Sequence, residues 1–170
     1  MNQYMTSISY RGATYEDFKQ LCDLKIASYS EFEKLLPGDG WATLNASLQD
    51  SNKLKEVLNI SRAFVGEIDG RIVGMAFLVS KGNPTTIYPA DWSYIRMVGV
   101  HPDFRGKGIG KKLTCMCIDE ARENGEKIIG LHTSEVMDSA RHVYESLGFT
   151  VYKEIDRIFG VRYWLYKMNL

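Results

Sequence analysis

Arg105, Gly106, Lys107, Gly108, Gly110, Lys111 and Lys112 crowd one short stretch, with glycine at every second position and basic residues around them. The chemistry open to such a stretch is anion binding. Glycines lacking a Cβ let an oxyanion approach backbone N–H groups, and a helix beginning there adds the positive end of its dipole. The flanking sequence supplies both elements that this needs. Ile95 to Val100 is an apolar run that reads as a strand, and His101-Pro102 breaks it. An amphipathic helix follows, with Ile109, Leu113, Met116 and Cys117 on one face and Lys111, Lys112, Asp119 and Glu123 outside. Strand, glycine turn and helix N-terminus together predict a site for something phosphorylated.

Two familiar phosphate motifs fail on spacing. The dinucleotide fingerprint needs G-x-G-x-x-G, but Lys111 stands three residues beyond Gly108. The nucleotide P-loop needs a glycine five residues before its Gly-Lys pair, and Arg105 holds that place before Gly110-Lys111. What remains is R-x-x-G-x-G from Arg105 to Gly110.

The elements that must carry this loop can be read along the chain. Ser7 to Arg11 alternates as a short strand. Thr14 and Asp17 open a helix that Phe18, Leu21, Cys22 and Ile26 continue to about Phe32, with Lys25 facing out. Pro37 to Gly40 is a break, and Leu44, Leu48, Leu54, Val57 and Leu58 give a second helical region, interrupted near Asp50. Ala63 to Ile68 and Arg71 to Ser80 form a hairpin about Asp69-Gly70. A long loop, Lys81 to Asp91, leads to the strand Trp92 to Val100, and its length points to function. After the glycine loop, a helix closes at Asn124-Gly125, and Lys127 to Thr133 is a strand expected to run parallel to its predecessor. Asp138 or Ser139 caps a last helix closed by Gly148. Phe149 to Ile155 and Val161 to Met168 end the chain as two strands turning near Phe159-Gly160. This order predicts an α/β domain of α+β type, with a mixed, mostly antiparallel twisted sheet of about seven strands and about four helices.

Composition excludes several classes. The 170 residues suffice for one domain spanning 1–170 with its own core. Lysine plus arginine and aspartate plus glutamate balance at 21 each, so no global field recruits nucleic acid or an anionic membrane. The three cysteines, Cys22, Cys115 and Cys117, make neither a disulfide framework nor a metal spacing. No basic segment followed by an apolar core opens the chain, and the longest apolar run, Ile72 to Val79, is too short to span a bilayer. The expectation is a cytoplasmic protein without a metal.

The glycine loop resembles the acetyl-CoA motif of the GNAT family of N-acetyltransferases, Gln/Arg-x-x-Gly-x-Gly/Ala between a strand and a long helix. Further likeness extends over nearly the whole chain. Ile95 to Pro102 is similar to the family's central strand and its exit, and Ala140, Tyr144, Gly148 and Phe149 match its later segment A-x-x-x-Y-x-x-x-G-F. The resemblance implies acetyl-CoA as co-substrate and a primary amine, on a small molecule or a peptide, as acceptor. It implies that Arg105, Gly106, Lys107, Gly108, Gly110 and Lys111 hold the pyrophosphate. The edges of Met97 to Val100 and of Lys127 to Thr133 would receive the pantetheine arm like an added strand, so Met97, Val98 and Val100 join the binding set, with an N–H near Val98 facing the oxyanion. Tyr144 takes the position of the general acid, against the alternative of an ordinary packed tyrosine.

Two positions depart from the family pattern. Tyr94 stands where many members carry a glutamate base, leaving Glu135, Asp91, His101, His132 and water as unranked candidates. Met137 stands where an asparagine is frequent. These departures keep a non-catalytic acyl-CoA-binding module open as the alternative. Met75, Phe77, Trp92 and Tyr94 suit strand faces better than an aromatic cage, and the helix cysteines suit a packed interior better than an acyl-enzyme route. A homodimer stays open.

Overall fold

The computed structural model describes residues 7–170, so the reading of the N-terminus falls partly on residues outside the described ones. Seven strands form one sheet: β1 (Ser9–Gly12), β2 (Ser61–Ile68), β3 (Arg71–Val79), β4 (Ser93–Val100), β5 (Ile128–Ser134), β6 (Thr150–Ile158) and β7 (Val161–Asn169). Five α-helices accompany them: α1 (Phe18–Tyr29), α2 (Gly40–Gln49), α3 (Ser51–Ile60), α4 (Ile109–Glu123) and α5 (Asp138–Leu147). The strand order is β1-β2-β3-β4-β5-β7-β6, antiparallel throughout except where β4 and β5 run parallel.

Local chemistry sets the tight turns. Asp69 and Gly70 both have positive φ (49° and 79°), as do Phe159 and Gly160 (54° and 80°), the backbone that matches the twist of a two-residue hairpin. Alternation along the strands then divides the core between the two faces of the sheet. One face packs Phe64, Ala76, Leu78, Ile95, Ile129 and Leu131 under Ile109, Leu113 and Cys117 of α4 and Tyr144 of α5. The other packs Ala63, Val65, Met75 and Phe77 under Leu21 and Leu24 of α1 and Leu54 of α3. Helix α4 lies close on β3 because position 74 is glycine: a Cβ there would stand 2.5 Å from the Ile109 side chain.

The interruption near Asp50 divides the second helical region into two helices: Asp50 turns to extended backbone and its carboxylate accepts the Asn52 N–H, starting α3 afresh. Two expectations are corrected. Lys25 does not face solvent. It is 3 % exposed, and its ammonium donates to the Ser47 and Asp50 carbonyls at the end of α2 (3.3 and 3.1 Å), while burial lowers its pKa. Asp138 is the first residue of α5 rather than its cap, paired with Arg141 at 3.4 Å. Among the described residues no helix is long and apolar enough to cross a membrane.

Candidate active site

At the exit of β4, a short 3-10 turn (Pro102–Phe104) leads into the glycine loop and α4. Gly106 and Gly108 have φ of 76° and 75°, with Lys107 of negative φ between them, so successive N–H groups turn toward a common side. Every amide from Gly106 to Lys111 lacks a protein acceptor among the described residues; the first intrahelical bond is that of Lys112 to the Gly108 carbonyl, at 3.0 Å. A Cβ at Gly106 or Gly108 would meet nothing within 4 Å, so open space lies above this backbone. The third glycine differs. At Gly110 a Cβ would make ordinary contact with Val100 and Val98, at 3.6 and 3.9 Å, so that position seats the helix on the strand.

The basic side chains divide as well. Lys107, Lys111 and Lys112 are exposed. Arg105 is engaged elsewhere: its guanidinium meets Glu31 at 2.6 Å and donates to the Ser28 carbonyl at 2.8 Å, strapping the loop to the end of α1. Its side chain is thus a brace, and its own N–H donates to the Pro102 carbonyl at 3.5 Å, so the free amides begin at Gly106. The loop is a cradle of amides fit for a pyrophosphate.

Upstream, the sheet opens. β4 and β5 pair only at Ser93 with Ile129 and Tyr94 with Gly130. Beyond Tyr94 the β5-facing edge of β4 has no strand beside it among the described residues. On its other edge β4 bulges: Phe77 pairs with Arg96 and Met75 with Gly99, and Met97 takes the left-handed φ of 52°. Met97 packs toward the α1 face, Val98 and Val100 toward the α4 face. An extended ligand carrying amides has an unpaired strand edge to meet here.

Tyr144 reaches the structure from α5, 7 % exposed and packed edge-to-face on Phe149 at 6.1 Å. Burial first, then the Tyr29 hydroxyl and the Cys117 thiol, hold its pKa above that of an ordinary phenol. No hydrogen bond from the described residues contributes, so this phenol is protonated at neutral pH with its donor uncommitted among them.

The opposite face of the opening carries a cluster that sequence reasoning did not assemble. Tyr88, from the long loop, stacks on Tyr94 at 4.0 Å with rings 2° from parallel, and its hydroxyl bonds Nδ1 of His132. Tyr163 stands 5.8 Å from the His132 ring, and burial pushes its phenol up to about 12. Arg96 and Tyr29 complete the group, since the Arg96 charge acts on Tyr29, Tyr88, Tyr94 and His132. Burial, then Arg96, pushes His132 down to about 4, so the imidazole is neutral at pH 7. The sequence marks its parts only separately: the length of the loop that brings Tyr88, Tyr94 at the family's base position, and His132 among the base candidates.

The candidates for a base fall in separate places. Tyr94 donates its hydroxyl proton to the Asn83 carbonyl at 2.9 Å and so pins the long loop. Glu135 accepts the Arg162 N–H at 2.9 Å, at the start of β7. His101 lies at the exit of β4 beside Arg71 and Asp103, and Asp91 is exposed. His132 alone of these belongs to the cluster at the opening. Met137, at the family's asparagine position, accepts the Thr133 hydroxyl on sulfur at 3.4 Å. Among the described residues no group of three or more His, Cys, Asp or Glu could hold a metal ion.

Comparison with known proteins gives this geometry its context. The sequence profile of the Acetyltransferase (GNAT) family matches residues 22–149, a stretch from α1 to the end of α5 that includes the glycine loop and Tyr144. Mycothiol acetyltransferase of Thermomonospora curvata is 34% identical over 52% of this chain and 28% of its own length. The L-amino acid N-acyltransferase MnaT of Escherichia coli is 38% identical over 36% of each chain. The chain therefore spans well under half the length of these two relatives. Among solved structures, the PaiA N-acetyltransferase of Thermoplasma acidophilum in complex with coenzyme A superposes with a TM-score of 0.77 at 15% identity, over 96% of this chain and 99% of that one. At that identity the likeness is one of fold. The profile match, covering most of the chain and both of its motifs, decides the family: this chain belongs to the GNAT acetyltransferases.

Proposed function

We propose that the protein transfers an acetyl group from acetyl-CoA to a primary amine, by direct attack within a ternary complex. The observation that carries this reading is the unbroken row of unpartnered amides from Gly106 to Lys111, at the end of a strand whose upstream edge is open. In this reading Gly106, Lys107, Gly108, Gly110 and Lys111 hold the pyrophosphate, and Arg105 braces the loop that carries them. The edge from Met97 through Val98 to Val100 takes the amides of the pantetheine arm.

Acetyl-CoA supplies an electrophilic thioester carbonyl and a thiolate leaving group of reference pKa about 8.5. The N–H near Val98 stabilises negative charge on the carbonyl oxygen during attack. Tyr144 keeps its proton at neutral pH and gives it to the departing sulfur. An alkylammonium enters with a proton to lose, and His132, pushed down to about 4, is too weak a base to hold it. That proton goes to water. We read residues 1–170 as one domain acting in the cytoplasm on an amine of a small molecule or a peptide.

Free-thiol release from acetyl-CoA against a panel of amines tests this, with wild type beside Tyr144→Phe. Amine-dependent release that Tyr144→Phe slows supports the reading. Saturable acetyl-CoA binding with no turnover for any amine assigns a non-catalytic acyl-CoA-binding module instead.

A further inference from the structure

Arg96 differs from every other arginine among the described residues. Arg11, Arg105, Arg122, Arg141 and Arg162 each pair with a carboxylate. Arg62 lies over Phe64, Arg71 lies over Phe104 and meets His101, and Arg157 donates to the Gly160 carbonyl. Arg96 has no ion pair, hydrogen bond or aromatic ring of its own among the described residues. Yet it is half-buried on the central strand, beside the bulge at Met97. Pairing with Phe77 turns it to the α1 face, into the company of Tyr29, Tyr88, Tyr94 and His132. These neighbours are phenols and a neutral imidazole, so none supplies a negative charge.

We propose that Arg96 binds a carboxylate carried by the acceptor amine, which makes the preferred substrate an amine with a carboxylate a few bonds away. This rests on the acetyl-transfer reading above. A half-buried guanidinium without a counter-ion is costly, and its planar fork matches a carboxylate with two parallel hydrogen bonds. The phosphates of acetyl-CoA are not that counter-ion. The glycine loop begins beyond Val100, about 13 Å along the strand from Arg96. Val98 is about 7 Å away, which the arginine side chain spans, so an amine attacking there keeps its carboxylate within reach of Arg96.

The test compares free amino acids, their α-amides, and short peptides with neutral or acidic first residues, using wild type, Arg96→Gln and Arg96→Lys. Acetyl-CoA-dependent thermal stabilisation of each variant checks that the fold and donor site are intact. Wild type is expected to prefer carboxylate-bearing amines over matched neutral ones by roughly 10- to 100-fold in kcat/KM, and Arg96→Gln to bring that ratio near one. Preference for free amino acids identifies an α-carboxylate as the group bound, and preference for acidic first residues a side-chain one. Acetylation without such a preference, or a preference that survives in Arg96→Gln, overturns the inference while leaving acetyl transfer standing. A second readout is independent of turnover. Carboxylate-bearing amines should raise the melting temperature of the CoA-bound wild type and not of CoA-bound Arg96→Gln. If no amine is acetylated, the acetyl-transfer reading fails on its own, and equal shifts in the two proteins overturn the role of Arg96.

Discussion

Beyond Val100 the protein presents backbone to solvent: glycines in the left-handed region, a row of free amides and a helix dipole. Around Tyr94 and Arg96, upstream on the same strand, it presents side chains drawn from α1, the long loop, β5 and β7. The first kind of site is specified by a few neighbouring residues and tolerates variation nearly everywhere else. The second exists only once distant elements have packed. One strand thus joins a loop built of backbone to a cluster of side chains from four distant elements, which are the donor and acceptor ends in the proposed function.

The sharpest way to break that contrast is at the backbone. Gly108→Asp places bulk and negative charge in the open space above the loop, at a φ that aspartate adopts at a cost of about 1 kcal/mol. Calorimetric titration should show acetyl-CoA affinity reduced by at least ~100-fold, with the melting temperature little changed. Retention of affinity within ~10-fold would show that the phosphates bind elsewhere. At the junction of the two ends, Tyr144→Phe should lower kcat by roughly 10²-fold and leave KM for acetyl-CoA nearly constant. A rise in KM without a fall in kcat would make Tyr144 a packing residue.

The acceptor end has its own signature in pH. The folded pKa of His132, about 4, lies below the unfolded value of about 6.5. The unfolded chain therefore takes the proton first, and the stability due to a neutral His132 is lost as pH falls from about 6.5 toward 4. Urea unfolding of wild type and His132→Asn should show their stability difference shrinking by up to about 1.4 kcal/mol per pH unit in that window. A difference independent of pH would mean that water reaches the imidazole freely. The smallest effect separates the glycines from one another. Gly110→Ala should change acetyl-CoA affinity by less than about two-fold, because its methyl group finds ordinary contact with Val100 and Val98.

What the sequence disclosed follows the same division. Gly106, Gly108, Asp69-Gly70 and Phe159-Gly160 act through their own φ, so their roles are written locally. Tyr144 is singled out only by its resemblance to a family segment, through the spacing of Ala140, Gly148 and Phe149 around it. Arg105 is legible as a basic residue beside a glycine loop, but its partner Glu31 lies 74 residues away, and no local pattern announces that brace. Lys25 looked solvated because one helix turn cannot show that the end of α2 covers it. Tyr88, Arg96 and His132 carry no common period, and only the register of β4 beside β5 brings them together.

The free amides of the glycine loop have a further consequence for turnover. Under the proposed function, the phosphates that they would hold are the same before and after transfer, and so are the amides of the arm along β4. Spent CoA is then gripped nearly as well as acetyl-CoA, because this binding is uniform across the reaction and does not favour the transition state. Once chemistry is fast, the departure of CoA sets the pace of the cycle, and accumulated CoA competes with the donor for the enzyme.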